Sequence, residues 1–88
     1  GARVLAIVPN PSNGTSTMSL SRYNGEEVRI TIYSAFGAEL YSSVWKSKEI
    51  TGEETALFPI KLESQSGVYH VVLRANSGIS TEQIVFVK

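Results

Sequence analysis

Apolar and polar residues alternate with a period of two along most of this chain, and turn-forming residues interrupt the alternation at short intervals. The cleanest stretch is 27–33, where Val28, Ile30 and Ile32 alternate with Arg29, Thr31 and Tyr33. Successive side chains of a strand point to opposite faces, so this pattern predicts a strand with one buried face. Six further strands follow from the same reading, at 4–8, 15–20, 38–45, 57–62, 68–74 and 79–87. Met18 and Leu20 share a face in the second, and Leu40 and Tyr41 fall on opposite faces of the fourth. The predicted core is Val28, Ile30, Ile32, Leu40, Leu57, Tyr69, Val71, Leu73, Ile84 and Phe86.

The interruptions carry turn chemistry. Asn24-Gly25, Phe36-Gly37, Thr51-Gly52, Ser66-Gly67 and Asn76-Ser77-Gly78 each separate two predicted strands. No segment shows a capped 3.6-residue repeat, and the Ser, Thr, Gly and paired Glu of 46–56 read as loop. Pro59 lies inside the fifth strand. Proline has no N–H for a ladder, so that strand is expected at an edge or a bulge. Seven short strands at this spacing predict an all-β fold, a seven-stranded antiparallel immunoglobulin-like β-sandwich. An unprotected fifth strand also leaves room for a strand-swapped or edge-paired dimer.

Between the first two strands stands Pro9-Asn10-Pro11-Ser12-Asn13-Gly14. Each proline fixes its own φ and pushes its predecessor out of the helical region. Asn13-Gly14 is a strong turn signal. These residues dictate backbone shape, and none is an evident catalyst. They predict a chain that is recognised as a shape.

Eighty-eight residues set one domain over 1–88, with 1–3 as a linker remnant or trimmed start. Such a chain buries only roughly 60–65% of its unfolded surface, which leaves no cleft between lobes. Eight basic and eight acidic residues are scattered and cancel, which argues against a nucleic-acid partner. No apolar run approaches the length of a membrane span. No leader pattern stands within these residues, so an exported parent would carry its leader upstream.

Candidate chemistry is thin. The chain has no Cys and no Asp, and all eight acidic residues are Glu. Disulfides, thiolate metal sites and Cys nucleophiles are excluded, and no metal or cofactor is implied. His70 is the sole histidine, on the face opposite Tyr69 and Val71, and lacks partners for a triad or a metal. Glu26-Glu27 and Glu53-Glu54 are neighbours in turns, where successive side chains diverge, so they do not form a glycosidase pair. Asn13-Gly14-Thr15 matches a glycan acceptor pattern, which the turn already explains. Tyr23, Tyr33, Tyr41, Trp45 and Phe58 suit sheet packing. Tyr41 and Trp45, four apart on one face, are the candidates for a ligand platform.

Four motifs together resemble the C-terminal sorting domain of the bacterial type IX secretion system, type A. They are the proline box 9–14, Ile32-Tyr33-Ser34-Ala35-Phe36-Gly37, Leu62 with Gly67-Val68-Tyr69, and the closing Ile84-Val85-Phe86-Val87-Lys88. The resemblance covers residues 6 to 88. Ser34 stands where the family usually has Asp, and the spacer before Gly67 is longer than usual. The resemblance implies a folded export signal carried by a cargo protein through the periplasm to the outer-membrane surface or medium. An outer-membrane shuttle protein and translocon would engage Ile84, Val85, Phe86, Val87 and Lys88. A surface sortase would cut just before the domain and join the cargo to lipopolysaccharide. Pro9, Asn10, Pro11, Asn13, Gly14, Gly37, Gly67 and Tyr69 would be its motif residues. The alternative is a retained accessory domain that binds carbohydrate or lipopolysaccharide through Tyr41 and Trp45.

Overall fold

The computed structural model describes residues 1–62 and 65–87. It contains seven strands: β1 (Arg3–Val8), β2 (Thr15–Tyr23), β3 (Val28–Tyr33), β4 (Glu39–Trp45), β5 (Glu53–Lys61), β6 (Gly67–Ala75) and β7 (Gly78–Phe86). They form two antiparallel sheets, one ordered β1-β2-β5 and the other β4-β3-β6-β7. Pro59 sits in β5, which pairs only with β2, so the expected edge strand is where it was placed.

The inner faces meet in one core. Met18, Leu20, Ile60 and Leu62 come from the smaller sheet and its continuation. Val28, Ile30, Ile32, Tyr69, Val71, Leu73, Ile84 and Phe86 come from the larger. Each large aliphatic side chain buried here contributes roughly 1.5–3 kcal/mol.

Two predicted core residues are corrected. Leu57 is 71% exposed, because β5 runs in the other phase. Its inner positions are Glu54, Ala56, Phe58 and Ile60, paired with Arg22, Leu20, Met18 and Ser16 of β2. Leu57 and Phe58 are both apolar, so alternation alone could not fix that phase. Leu40 is 44% exposed for a different reason. Ile32 pairs with Tyr41 and Tyr33 with Glu39, so Leu40 is an extra residue in a β-bulge. The bulge breaks the alternation, and Leu40 and Tyr41 line the same groove rather than opposite faces.

β2 and β5 are also longer than predicted. The inner face of β2 continues from Met18 and Leu20 to Arg22, a charged residue that ends an apolar pattern but not the strand. The Arg22 side chain is fully buried and ion-pairs with Glu54 at 2.9 Å. Lys48 reaches the other carboxylate oxygen of Glu54 at 2.8 Å. The Lys48 hydrogen bond, then that from Arg22, holds the Glu54 carboxyl below its ordinary value of 4.5, against the opposing effect of desolvation. A depressed folded value means that the unfolded chain binds the proton more readily. The contribution of Glu54 to stability is therefore complete above pH 4.5 and declines as pH falls through the lowered value. Glu54→Gln is expected to flatten the fall of melting temperature over that acidic window, checked by melts of both proteins from pH 6 downward.

Candidate recognition site

The strand ends sort the sequence motifs onto one end of the molecule. β1, β3, β5 and β7 finish there, and β2, β4 and β6 begin there. The β6–β7 turn marks the opposite end, and Gly1 lies there against Ser77. Gly1 and Phe86 therefore lie at opposite ends of the domain, whose longest dimension is 41 Å.

The proline box is more than a turn between β1 and β2. After Val8 it crosses to the outer edge of β7, 70 residues and more away in sequence, before returning to β2. Both of its X–Pro bonds are cis. The Asn10 amide works as a side-chain copy of a peptide group. Its Nδ2 donates to the Gln83 carbonyl at 3.1 Å, and its Oδ1 accepts from the Val85 N–H at 2.9 Å. Ser12 continues the pairing with its backbone. Its N–H donates to the Val85 carbonyl at 2.7 Å, and its carbonyl accepts from the Val87 N–H at 2.8 Å. Ser12 is thereby a one-residue parallel partner of Phe86. The Ser12 hydroxyl accepts from the Gly14 N–H, and the Ser16 hydroxyl donates to the Pro9 carbonyl. Leu62 N–H then donates to the Gly14 carbonyl at 2.7 Å, which ties the end of β5 to the box. Asn13 is exposed.

The tail divides as its alternation implies. Ile84 and Phe86 are buried, Val85 is half-buried, and Val87 is exposed. Lys88 lies outside the described residues. Phe86 tilts against the buried ring of Tyr69 at 6.3 Å between centroids, and the Tyr69 hydroxyl donates to the Gln65 carbonyl. The box occupies part of the backbone edge of this tail. Both backbone groups of Val85 and the N–H of Val87 are already taken.

The β3–β4 turn stands at the same end, beside residues 65–69. Ser34 Oγ accepts from the N–H groups of Phe36 and Ala38 at 3.3 and 3.1 Å. A short acceptor side chain at the first turn position is what such a turn requires. Gly37 takes φ +85°. Phe36, at the tip, is 99% exposed. Residues 34–36 and 65–69 together line a shallow cavity of about 360 Å³. A second cavity, about 540 Å³, opens between the edges of β4 and β5, where Leu40 and Tyr41 face Pro59, Ile60 and Leu62.

Tyr41 and Trp45 do share a face, since their β3 partners are the inward Ile32 and Val28. Trp45 packs edge-on against Phe58 at 5.7 Å and carries the Arg22 guanidinium 4.1 Å over its ring. His70 is half-buried on the outer face of β6. Glu26 accepts from Ser77, and Glu53 from Tyr23, both in surface contacts at the far end. Among the described residues no three acidic or histidine side chains are grouped to hold a metal ion.

The decisive comparison is with a family model described as the secretion system C-terminal sorting domain, which matches residues 6–88. The chain belongs to the type IX secretion C-terminal sorting domain family. As a type IX sorting domain it is a C-terminal secretion signal, which implies interaction with the secretion machinery and export to the cell surface or medium. No curated protein matches the chain. Among solved structures it resembles the sensor domain of the anti-sigma factor RsgI4 from Pseudobacteroides cellulosolvens, at 10% identity and a TM-score of 0.60. That match covers 99% of this chain and 95% of the other, and it shows the fold alone. The sorting domain's departure at Ser34 leaves the turn intact, because the hydroxyl caps it. Sequence reading missed Ser12 as a pairing residue and Phe36 as an exposed tip. The ring at Phe36 stands beside Gly37 in a turn, which was the available signal.

Proposed function

We propose that this sorting domain is a non-catalytic address of immunoglobulin-like type, removed from its cargo after use. Cargo precedes Gly1 and crosses the periplasm with the domain attached. An outer-membrane shuttle and translocon engage Ile84 to Lys88, and a surface sortase cuts the chain upstream of the domain. The observation that supports this reading is that Phe86 lies at the end of the domain opposite Gly1, ahead of which the cargo is proposed to join. A receptor can grip the tail without meeting the cargo, and the junction stays open to a second enzyme. The three-plus-four division of the strands supports the immunoglobulin-like description.

Binding of carbohydrate or lipopolysaccharide is the second reading. The cavity beside Tyr41 favours it, but Trp45 is occupied by Arg22 and Phe58. The two readings separate on removal of Val87 and Lys88 from a cargo fusion. The address reading predicts loss of surface delivery, and normal delivery would reject it.

A further inference from the structure

We infer that Asn10 is a positioning residue for tail recognition. The proline box clips the outer edge of β7, so the tail is presented as a fixed row of side chains and not as an open strand edge. This rests on the reading of Ile84 to Lys88 as the recognised segment.

The backbone of an edge strand is a template for any extended chain. β7 is such an edge, with β6 on one side and, among the described residues, no strand hydrogen-bonded along the other. From Gln83 to Val87 the box fills that vacant side with four hydrogen bonds, two from the Asn10 amide and two from the Ser12 backbone. Only a carboxamide supplies the Asn10 pattern, and asparagine holds it one methylene closer to the backbone than glutamine does. The pattern needs a planar group with a donor and an acceptor side by side, spaced as in a peptide. Pro9 and Pro11 hold the residue between them extended and have no N–H of their own to compete. Ser12 then continues the row.

Two consequences follow for a receptor. It cannot hydrogen-bond to the outer edge of Val85, because both backbone groups are taken. It reads the side chains of Val85 and Val87, whose direction the clip fixes. A receptor that meets a tail already held in its bound shape loses less conformational freedom on binding. The box and the tail therefore act as one recognition unit, although they lie at opposite ends of the sequence.

The test uses Asn10→Ala and Asn10→Asp, in the 88-residue chain and in a reporter fused ahead of Gly1 in a bacterium with a type IX system. Asn10→Asp keeps the acceptor for Val85 but loses the donor to Gln83. Ile30→Val serves as a control for a loss of stability alone. In the chain, Asn10→Ala is expected to speed amide exchange at Val85 about tenfold or more while the β3 and β6 amides stay protected. In the fusion, its surface yield should fall about tenfold, the worth of one or two hydrogen bonds. Asn10→Asp should fall between Asn10→Ala and the unaltered chain, and Ile30→Val should deliver normally.

Unchanged Val85 exchange would overturn the clip. Faster exchange with normal or raised delivery of Asn10→Ala would overturn the positioning role and leave the sorting reading standing. So would equal losses in Asn10→Ala and Ile30→Val. Failure of the unaltered fusion to reach the surface would remove the sorting reading and this role with it.

Discussion

Replacing Arg22 with methionine is expected to destabilise the domain by on the order of 3–5 kcal/mol, as breaking a buried, hydrogen-bonded ion pair does. For a domain of this size that is a fall in melting temperature of roughly 15–30 °C. The reason is how completely Arg22 is used. Its side chain has no exposed surface. Nε and Nη2 donate to one oxygen of Glu54 at 3.2 and 2.9 Å. Nη1 donates to the carbonyls of Glu26, Trp45 and Lys46 at 2.8, 3.0 and 2.6 Å. The guanidinium also lies over the Trp45 ring. Arg22 thus joins β2 and β5 of one sheet to the β2–β3 connection and the end of β4. Exchange of an ion pair for apolar residues can be neutral when it leaves nothing unpaired. Here methionine removes a donor from three part-buried carbonyls, and a carbonyl left unpaired away from water costs about 1–3 kcal/mol. Lysine should lose less than methionine, since it keeps a charge and some donors, and alanine should lose most. Denaturant unfolding checks the order. A loss below about 1 kcal/mol for Arg22→Met would show that the carbonyls find other donors.

Gly25→Ala is expected to cost about 2–4 kcal/mol, combining a left-handed backbone with an overpacked site. Asn24 and Gly25 both take positive φ, 53° and 64°, at the crossing from one sheet to the other. A Cβ on Gly25 would lie 1.9 Å from the Lys48 carbonyl oxygen. That atom is backbone, so it yields only if the 46–50 loop moves. The same loop is held by the Ser47 hydroxyl, which donates to the Gly25 carbonyl, and by the reciprocal bonds between Asn24 and Gly52. Gly37→Ala is the contrast. Its φ is also positive, but nothing lies within 4 Å of its Cβ. It should lose only about 1 kcal/mol, the backbone penalty alone. Equal losses at the two glycines would refute the steric part. Because Arg22 and Gly25 brace one loop, their combined variant should lose less than the sum of the two.

Strand number was legible in the sequence because turn residues bound each run and β3 alternates cleanly, and Val28, Ile30, Ile32, Tyr69, Val71, Leu73, Ile84 and Phe86 are buried as predicted. Legibility failed where a local pattern has two solutions or where the answer is non-local. Leu57-Phe58 offers two phases for one strand. The bulge at Leu40 leaves no trace in an alternation that is already irregular. Arg22 lies beyond the predicted end of the second strand and Glu54 within the predicted 46–56 loop, yet each is an inner-face residue made tolerable by the other. The box was visible as a fixed shape, from its prolines. Its attachment to β7 was not, since nothing in Pro9 to Gly14 names Gln83, Val85 or Val87 as partners. The end-to-end placement of Gly1 and the tail was equally hidden, because it depends on strand order.

The most direct test is the surface yield of a reporter fused ahead of Gly1, with and without Val87 and Lys88, in cells with a type IX system. Melting of the two domains must first be matched, so that delivery and not folding is compared. The account predicts that the intact fusion reaches the surface and that the shortened one stays inside the cell envelope. Equal surface yields from two equally stable domains would contradict it.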